Sequence, residues 1–329
     1  MKRAAPVLSR DVVLIGGGHA HALLLRRWGM SSVEGARLTV INPAPTAPYT
    51  GMLPGFVAGH YARSDLEIDL VRLARFADAR LILGTASAID RTAKQITVPG
   101  RPDIAYDIAS IDIGITSEMS ALKGFAANAT PAKPLGPFAD AWERFVAARS
   151  GDPIAVIGAG IGGVELALAM RHRVGSGSDI SVIDAAQALT GVGHNTRTIL
   201  LSALKDAGIA LIEGVAPCEV TSAAVTLEAG REIASRFTVG AAGARPFAWL
   251  AETGLELTDG FIDVDARLKS VSDPSIYAVG DCAHLTHAPR PKAGVFAVRA
   301  APVLTANIQA DLTGQPLRRF QPQDKYLKL

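Results

Sequence analysis

Apolar and polar positions in the first fifty residues follow the pattern of one β-α-β unit. The run from Asp11 to Ile15 is apolar after its first residue and leads into three glycines, which is typical of a buried parallel strand. The next segment, from Ala20 to Trp28, predicts a helix that ends near Gly29. Arg37–Ile41 predicts a second strand. The chain therefore begins like a doubly wound α/β fold.

The same order of strand, glycine turn and helix returns near the middle of the chain. Residues 152–173 fit this unit, residues 179–185 fit the next strand, and residues 195–207 fit a helix closed by Gly208. The other predicted elements are, in chain order, a Pro/Gly-rich loop at 42–55, a helix at 69–76, strands at 80–90, 95–98 and 106–113, a linker at 130–137, strands at 261–268 and 275–281, and a final helix at 293–310. The repeat predicts two α/β domains.

The second glycine turn, GAGIGG at residues 158–163, has the three glycines of a dinucleotide-binding turn. Gly158 permits the tight turn, Gly160 lets the backbone approach a pyrophosphate, and Gly163 lets the helix pack closely on the strand. The phosphates would face free N–H groups at a helix N-terminus. Asp184 ends the next strand, 26 residues after Gly158, near the spacing of a carboxylate that binds an adenosine ribose. We predict a nucleotide site here, against the alternative of a purely structural turn.

Asp184 also affects which nucleotide is expected. A carboxylate repels a 2′-phosphate, and NADPH sites commonly place an arginine just beyond this strand. The residues that follow Asp184 are Ala185, Ala186 and Gln187. NADH is therefore favoured over NADPH.

The first glycine turn, GGGHAH at residues 16–21, matches the same pattern less completely. Gly16 and Gly18 supply the tight turn and the close approach, but His21 stands where a third glycine is expected. Asn42 lies 26 residues after Gly16 and can hydrogen-bond a ribose hydroxyl without carrying a charge. We interpret His21 as a packing substitute for the missing glycine.

Bulk composition narrows the classes of function. The chain has 329 residues, enough for two domains, and its net charge of +2 gives no electrostatic case for nucleic acid. No apolar run approaches the roughly 18 residues of a membrane-spanning helix. Two cysteines, Cys218 and Cys282, form no disulfide framework, so a reducing compartment is expected. No metal site is predicted.

Further motifs give the chain a family resemblance. A late strand ends in Gly280 and Asp281, and PRPKAG follows it before the last predicted helix. With GGGHAH, PYTGMLPG, GAGIGGVELAL and GHN, the chain resembles the flavoproteins with two dinucleotide-binding domains, the pyridine nucleotide–disulfide oxidoreductase superfamily. It is most similar to the disulfide-less branch of type II NADH dehydrogenases and sulfide:quinone oxidoreductases, in a bacterial subgroup that stands alone or is fused in front of selenide, water dikinase. The Cys-x-x-x-x-Cys motif of disulfide reductases is absent, and we interpret both cysteines as packing residues.

The resemblance implies an α/β fold with two Rossmann-like domains. In it, an NAD(P)H-binding domain at 133–240 is inserted into a discontinuous FAD-binding domain at 1–132 and 241–315, and a short C-terminal segment starts at 316. The implied cofactors are FAD and NADH. Hydride would pass from NADH to FAD and on to an unidentified small-molecule acceptor such as a quinone.

The resemblance also implies site residues. Those expected at FAD are Gly16, Gly18, His19, Ala20, Asn42, Met52, Leu53, Ala86, Gly280, Asp281, Lys292, Ala293, Gly294 and Phe296. Those expected at NADH are Gly158, Gly160, Ile161, Gly162, Gly163, Glu165, Asp184, Ala242 and Gly243. Flavin chemistry needs no side-chain nucleophile, and only Lys292, Tyr49 and Glu165 are implied as contributors to catalysis.

Two alternatives to an NADH oxidoreductase stay open from the sequence. One is a flavoprotein that oxidises a sulfur or selenium compound with quinone as the acceptor. The other is a non-catalytic redox sensor that binds flavin or NAD. The expected location is the cytoplasm, and peripheral contact with the inner face of the membrane and a homodimer both stay open.

Overall fold

The structure is a computed structural model that describes residues 9–148 and 151–324. The strands of this part are β1 (Arg10–Ile15), β2 (Ala36–Asn42), β3 (Thr46–Pro48), β4 (Glu67–Asp69), β5 (Arg80–Leu83), β6 (Ala88–Asp90), β7 (Gln95–Thr97), β8 (Ile104–Ala105), β9 (Ile108–Ile111), β10 (Ala129–Pro131), β11 (Ile154–Ile157), β12 (Ile180–Asp184), β13 (Ala210–Glu213), β14 (Pro217–Val220), β15 (Ala224–Leu227), β16 (Glu232–Ala234), β17 (Phe237–Gly240), β18 (Leu257–Thr258), β19 (Phe261–Val264), β20 (Lys269–Ser270), β21 (Asp273–Ala278) and β22 (Ala283–Leu285). The α-helices are α1 (His19–Met30), α2 (Leu53–Ala58), α3 (Leu70–Phe76), α4 (Phe125–Asn128), α5 (Leu135–Ala148), α6 (Ile161–Val174), α7 (His194–Asp206) and α8 (Gly294–Thr313).

The described chain forms two compact units. The first unit contains residues 9–47, 67–115 and 246–324, and the second contains residues 48–66, 116–148 and 151–245.

The first unit is built on a sheet with the strand order β18-β19-β20-β21-β9-β1-β2-β5, in which β22 also pairs with β19. The strands from β21 to β5 run parallel. One face of the sheet packs against α1, α3 and α8 around Trp28, Leu70 and Leu304, and the other packs against residues of β6, β7 and β8 around Ile96. Because both faces are covered, β1 from Val12 onward and β9 apart from Ser110 are apolar.

The second unit has a parallel five-stranded sheet with the order β10-β17-β11-β12-β13. One face packs against α2, α5, α6 and α7 around Phe138, Trp142 and Met170. The other face packs against the antiparallel strands β14, β15 and β16 around Phe125 and Val225. The two repeated β-α-β units predicted from the sequence are thus confirmed as the centres of two parallel sheets.

The predicted linker at residues 130–137 is wrong. This stretch contains β10 and the start of α5. The apolar side chains Leu135, Phe138 and Trp142 recur at helical spacing and lie buried in the core of the second unit. The Pro/Gly content of the stretch hid this periodicity.

Contacts divide the chain differently from the predicted domain limits in three places, one of which is residues 241–245, which belong to the second unit. Residues 48–66 pack with the second unit, where the Trp142 Nε1–H donates to the Val57 carbonyl oxygen at 3.1 Å. Residues 116–132 also pack with the second unit, through β10. The C-terminal segment packs with the first unit, where Phe320 is buried. Which cofactor each unit binds stays a prediction.

Candidate functional site

The glycine turn of the second unit joins β11 to α6 and is open on one side. Gly158 has a φ of +114°, and a Cβ there would lie 2.6 Å from the Ala242 nitrogen. A Cβ on Gly163 would lie 1.9 Å from the Gly158 carbonyl oxygen, so only glycine allows this close packing of helix on strand. A Cβ on Gly160 or Gly162 would meet no atom of the described residues within 4 Å. The turn is therefore tight where it touches the protein and open at the N-terminus of α6, where a pyrophosphate can approach.

The polar residue at the end of β12 is tied to this turn. The Asp184 carboxylate accepts hydrogen bonds from the N–H groups of Ala159, at 2.6 Å, and Ala186, at 2.9 Å. Glu165 is half-buried in α6, and burial raises its pKa. Gly243 has a φ of +74° and follows the residue that touches Gly158. Ile161 begins α6, so the predicted NADH residues gather around one turn.

The glycine turn of the first unit repeats this layout with a neutral residue at the end of the strand. Asn42 Oδ1 accepts a hydrogen bond from the Gly17 N–H at 2.9 Å, as Asp184 does from Ala159. The Asn42 side-chain amide also donates to two carbonyl oxygens of the following loop. Gly16 has a φ of +90°, which favours glycine. Asn42 therefore orders the turn, and its contact with a ribose stays a prediction.

His21 fills the position of the third glycine with a buried, hydrogen-bonded ring. Its Nδ1 lies 2.7 Å from the Gly16 carbonyl oxygen, and its Nε2 lies 2.8 Å from Ser110 Oγ. Because a carbonyl oxygen can only accept, Nδ1 carries the proton and Nε2 accepts from the Ser110 hydroxyl. Burial lowers the pKa of His21 to about 4, so the ring is neutral at pH 7. The predicted packing role of His21 is confirmed.

A buried carboxyl group, that of Asp112, lies at the N-terminus of α1. Its Oδ2 accepts hydrogen bonds from the N–H groups of Ala20, at 2.9 Å, and His21, at 3.1 Å. A Cβ on Gly18 would lie 2.3 Å from the Asp112 carboxyl carbon, and a Cβ on Gly280 would lie 2.6 Å from its Oδ1. Burial raises the pKa of Asp112 to about 7, and the two hydrogen bonds only partly oppose this effect.

The end of β21 and the start of α8 form another part of the first unit's site. Gly280 has a φ of +73° and begins a 3₁₀ turn, and Ala293 precedes the first residue of α8, Gly294. A cavity of about 30 Å³ lies here. The lining includes five residues predicted at FAD and one from the C-terminal segment: Gly280, Asp281, Lys292, Ala293, Phe296 and Phe320.

Lys292 is bound by groups of its own unit. Its Nζ donates to the Ala283 carbonyl oxygen at 2.7 Å and lies 3.8 Å from the centre of the Phe261 ring. Burial lowers the pKa of the ammonium group. A contact between Lys292 and the flavin stays a prediction.

The C-terminal segment is fastened to the loop that precedes α8. The Arg290 guanidinium donates to the carbonyl oxygens of Pro322 and Gln323 and to the carboxylate of Asp324. His287 Nε2 lies 3.0 Å from the Phe320 carbonyl oxygen, so this contact makes Nε2 the donor. The segment therefore holds one wall of the small cavity in place.

The remaining residues predicted at FAD belong partly to the first unit and partly to the second. Leu53 is buried in the core of the second unit, and Met52 packs against that core. Tyr49 belongs to the same unit and its side chain is 39% exposed. Ala86 is buried in the first unit. His19, at the start of α1, is half-buried.

With this geometry in place, comparison with known proteins identifies the family. The sequence profile of the pyridine nucleotide-disulphide oxidoreductases matches residues 10–301. This chain belongs to that family. The NADH dehydrogenase-like protein YutJ of Bacillus subtilis is 23% identical over 325 residues, which are 96% of this chain and 88% of YutJ.

Two solved structures show the same fold. The water-forming NADH oxidase from Lactobacillus brevis, bound to NADH, has a TM-score of 0.80 at 21% identity and covers 95% of this chain and 71% of its own. The sulfide:quinone oxidoreductase of Aquifex aeolicus has a TM-score of 0.76 at 18% identity and covers 94% of this chain and 78% of its own.

As a pyridine nucleotide-disulphide oxidoreductase, the chain is a flavoenzyme that uses FAD and a pyridine nucleotide. The residues present fit two dinucleotides. Each glycine turn opens at the N-terminus of a helix, and a polar side chain from the following strand fixes each turn. The link to selenide, water dikinase stays a prediction.

Neither cysteine of this family member has the surroundings of a redox-active disulfide. Cys282 is buried, its Sγ–H lies 3.3 Å from the Val279 carbonyl oxygen, and burial raises its pKa to about 12. Cys218 is exposed, so its predicted packing role is wrong, because alternate residues of β14 face away from the core.

The described residues contain neither a candidate metal cluster nor a candidate membrane-spanning helix. Within 9–148 and 151–324, no cluster of three or more His, Cys, Asp or Glu side chains is arranged to hold a metal. In the same ranges, no helix combines the length and apolar character needed to cross a membrane.

Four residues of the first unit's site were not predicted from the sequence. Asp112 and Ser110 are polar positions inside the apolar stretch IASIDI, and this interruption of a buried strand was a usable signal. Arg290 and Phe320 gave no comparable signal, because their contacts join segments about thirty residues apart whose pairing depends on the fold.

Proposed function

We propose that the first unit binds FAD and the second binds NADH, and that electrons pass from NADH through FAD to a small-molecule acceptor such as a quinone. The observation that supports this proposal is the pair of glycine turns. Both have a left-handed first glycine, a helix N-terminus at the open side, and a polar side chain at the following strand end that accepts from the turn.

The choice of NADH rests on Asp184. Its carboxylate is fixed in the turn by the N–H groups of Ala159 and Ala186, and the next side chains are small or neutral. A 2′-phosphate placed beside this carboxylate would be repelled, with no arginine at Ala185 to Gln187 to bind it. The ribose hydroxyls of NADH can instead donate to it.

Positioning and electrostatics are the chain's contribution to the reaction. FAD, when bound, supplies the redox chemistry: it takes up a hydride and releases electrons to an acceptor. The positive end of α6 would hold the pyrophosphate of NADH. The N-terminus of α8, at Ala293 and Gly294, and the ammonium group of Lys292 would stabilise negative charge on the flavin. Glu165 would lie beside the nicotinamide.

The alternative of sulfur or selenium oxidation receives no support from the cysteines. Cys282 is buried with a raised pKa, which opposes thiolate formation, and Cys218 lies in the other unit. Because both cysteines are free, we also propose a reducing compartment, the cytoplasm, as the location.

An anaerobic visible spectrum of the purified protein tests the proposal. We expect a flavin absorption band that NADH bleaches, and that NADPH bleaches much more slowly. Addition of a soluble quinone should then restore the band. A flavin band that neither nucleotide changes would contradict the proposal, and a protein that binds no FAD would favour a non-flavin role.

A further inference from the structure

Asp112 occupies the place where the first glycine turn meets the N-terminus of α1. Its side chain is almost fully buried, and its carboxyl group lies directly against Gly18 and Gly280. Its Oδ2 also accepts hydrogen bonds from the N–H groups of Ala20 and His21. N–H groups in this position are the ones that a dinucleotide-binding turn offers to phosphate.

Among the described residues, no acid lies against Gly160, the second glycine of the other turn. A Cβ on Gly160 would meet no atom of the described residues within 4 Å, whereas a Cβ on the corresponding Gly18 would meet both carboxyl oxygens of Asp112 at 2.4 Å. At the second glycine of the turn, the two units thus differ by the carboxyl group of Asp112, which can change its charge. The Asp112 carboxyl group lies where the diphosphate of a bound dinucleotide would bring negative charge.

Several elements around Asp112 carry groups that can be charged. From α1, the His21 ring is held neutral by burial, and the half-buried His19 begins the helix. From the 3₁₀ turn after β21 come the carboxylate of Asp281 and the buried thiol of Cys282. From the loop before α8, the Lys292 ammonium is bound to the Ala283 carbonyl oxygen. The residues of β1 and β2 at this turn are apolar or, at position 42, a neutral amide.

We propose that FAD binds to the first unit only when Asp112 is protonated, so that FAD binding takes up one proton at the glycine turn. An ionised carboxylate in this buried place would repel the diphosphate of FAD, because a low dielectric strengthens the repulsion. A neutral carboxyl group removes the repulsion and can donate a hydrogen bond to a phosphate oxygen. This inference rests on the proposed binding of FAD to the first unit.

The expected pH dependence follows from proton linkage. Burial already places the pKa of Asp112 at about 7, and a bound diphosphate raises it further. Below that pH, the affinity for FAD is expected to be constant. Above it, the unbound protein loses the proton that the complex keeps, so the affinity should fall about tenfold per pH unit.

The test compares the affinity of the FAD-free protein for added FAD in wild type and in Asp112→Asn, from the quenching of FAD fluorescence between about pH 6 and pH 8.5. Asparagine keeps an oxygen that can accept from the N–H groups of α1 but cannot ionise. We expect the dissociation constant of wild type to rise about tenfold over the last pH unit. That of D112N should stay constant and be lower than that of wild type at the highest pH.

Asp281→Asn is the matched control, because Asp281 is the other carboxylate of this site. D281N should still lose affinity as the pH rises, but from a lower pH than wild type, because the charge of Asp281 raises the pKa of Asp112. A dissociation constant of wild type that does not change with pH, a dependence that survives in D112N, or one that disappears in D281N instead would each overturn the proposal.

A second measurement needs no variant and covers the case in which D112N does not fold. Titration calorimetry of wild type with FAD at about pH 8, in two buffers of different ionisation enthalpy, should show uptake of close to one proton. Uptake near zero would overturn the proposal. If wild type and D112N bind no FAD at any pH, the assignment of FAD to this unit fails, which is a different result from FAD binding without proton uptake.

Discussion

At the scale of single residues, two buried groups of the first glycine turn are expected to affect stability in opposite directions. The pKa of His21 is lowered from 6.5 to about 4, so the stability that its neutral form contributes is complete above pH 6.5 and is lost as the pH falls through 4. The pKa of Asp112 is raised from 3.8 to about 7, so its contribution is complete below pH 3.8 and is lost as the pH rises through 7. Between these limits the two effects largely offset each other.

A variant that lacks one of these two groups should therefore show the pH dependence of stability that the other group causes. Relative to wild type, the free energy of unfolding of FAD-free D112N should rise by about 3 kcal/mol from pH 4.5 to pH 7.5. That of His21→Gln should fall by about 3 kcal/mol relative to wild type over the same range. Urea denaturation at the two pH values measures both differences. Variants whose stability runs parallel to that of wild type would show that neither group carries the shifted pKa.

Alanine substitutions at two glycines of the second turn should affect nucleotide binding and stability separately. In Gly160→Ala the new methyl group meets open space, so we expect an unchanged melting temperature and an affinity for NADH at least about tenfold weaker, because the methyl group stands where the pyrophosphate approaches. In Gly163→Ala the methyl group would overlap the Gly158 carbonyl oxygen, so we expect a large loss of stability. Calorimetry of unfolding and an NADH titration test both, and equal effects of the two changes would contradict this division.

The preference for NADH should depend on charge at the end of β12. In Asp184→Ser with Ala185→Arg, a hydroxyl can still accept from the Ala159 N–H while an arginine becomes available to a 2′-phosphate. We expect the ratio of kcat/KM for NADPH over NADH to rise by at least about tenfold, or roughly 1.4 kcal/mol. Asp184→Asn is the control, since it removes only the negative charge and should produce a smaller rise. An unchanged ratio in the double variant would show that the nucleotide choice lies elsewhere.

At the scale of elements, the C-terminal segment supports the loop before α8. Phe320 is buried, and its N–H donates to the Ala266 carbonyl oxygen at 2.7 Å. Phe320→Ala should lower the free energy of unfolding by about 3–5 kcal/mol, because it leaves a cavity beside α8. Arg290→Ala should have a smaller effect on stability and should speed hydrogen exchange in residues 284–293.

The neighbouring Arg319 supplies the control for these two variants. Its side chain is exposed, so Arg319→Ala should leave both the stability and the exchange rates unchanged. Equal effects of R290A and R319A on exchange would mean that the segment is not fastened through Arg290.

At the scale of the whole molecule, each unit has its own apolar cores, so each ligand should protect its own unit. We expect FAD to slow hydrogen exchange at the first glycine turn and at residues 278–282, and NADH to slow exchange at the second turn and at residues 182–187. Exchange measured by mass spectrometry with each ligand alone checks this assignment. Protection of the second turn by FAD alone, without effect on the first, would reverse the proposed roles of the units.

The sequence by itself determined the two β-α-β units, the two glycine turns and the family, because strand burial, helical periodicity and glycine geometry act over short stretches of chain. The sequence pattern predicted a linker at residues 130–137, because the Pro and Gly content concealed the periodicity of a buried helix. Only the tertiary structure showed that Asp112 lies against Gly18, that His21 pairs with Ser110, and that Phe320 lines the cavity at α8. These contacts join residues that are distant in the chain, and burial in the folded state is what shifts the pKa of Asp112 and His21.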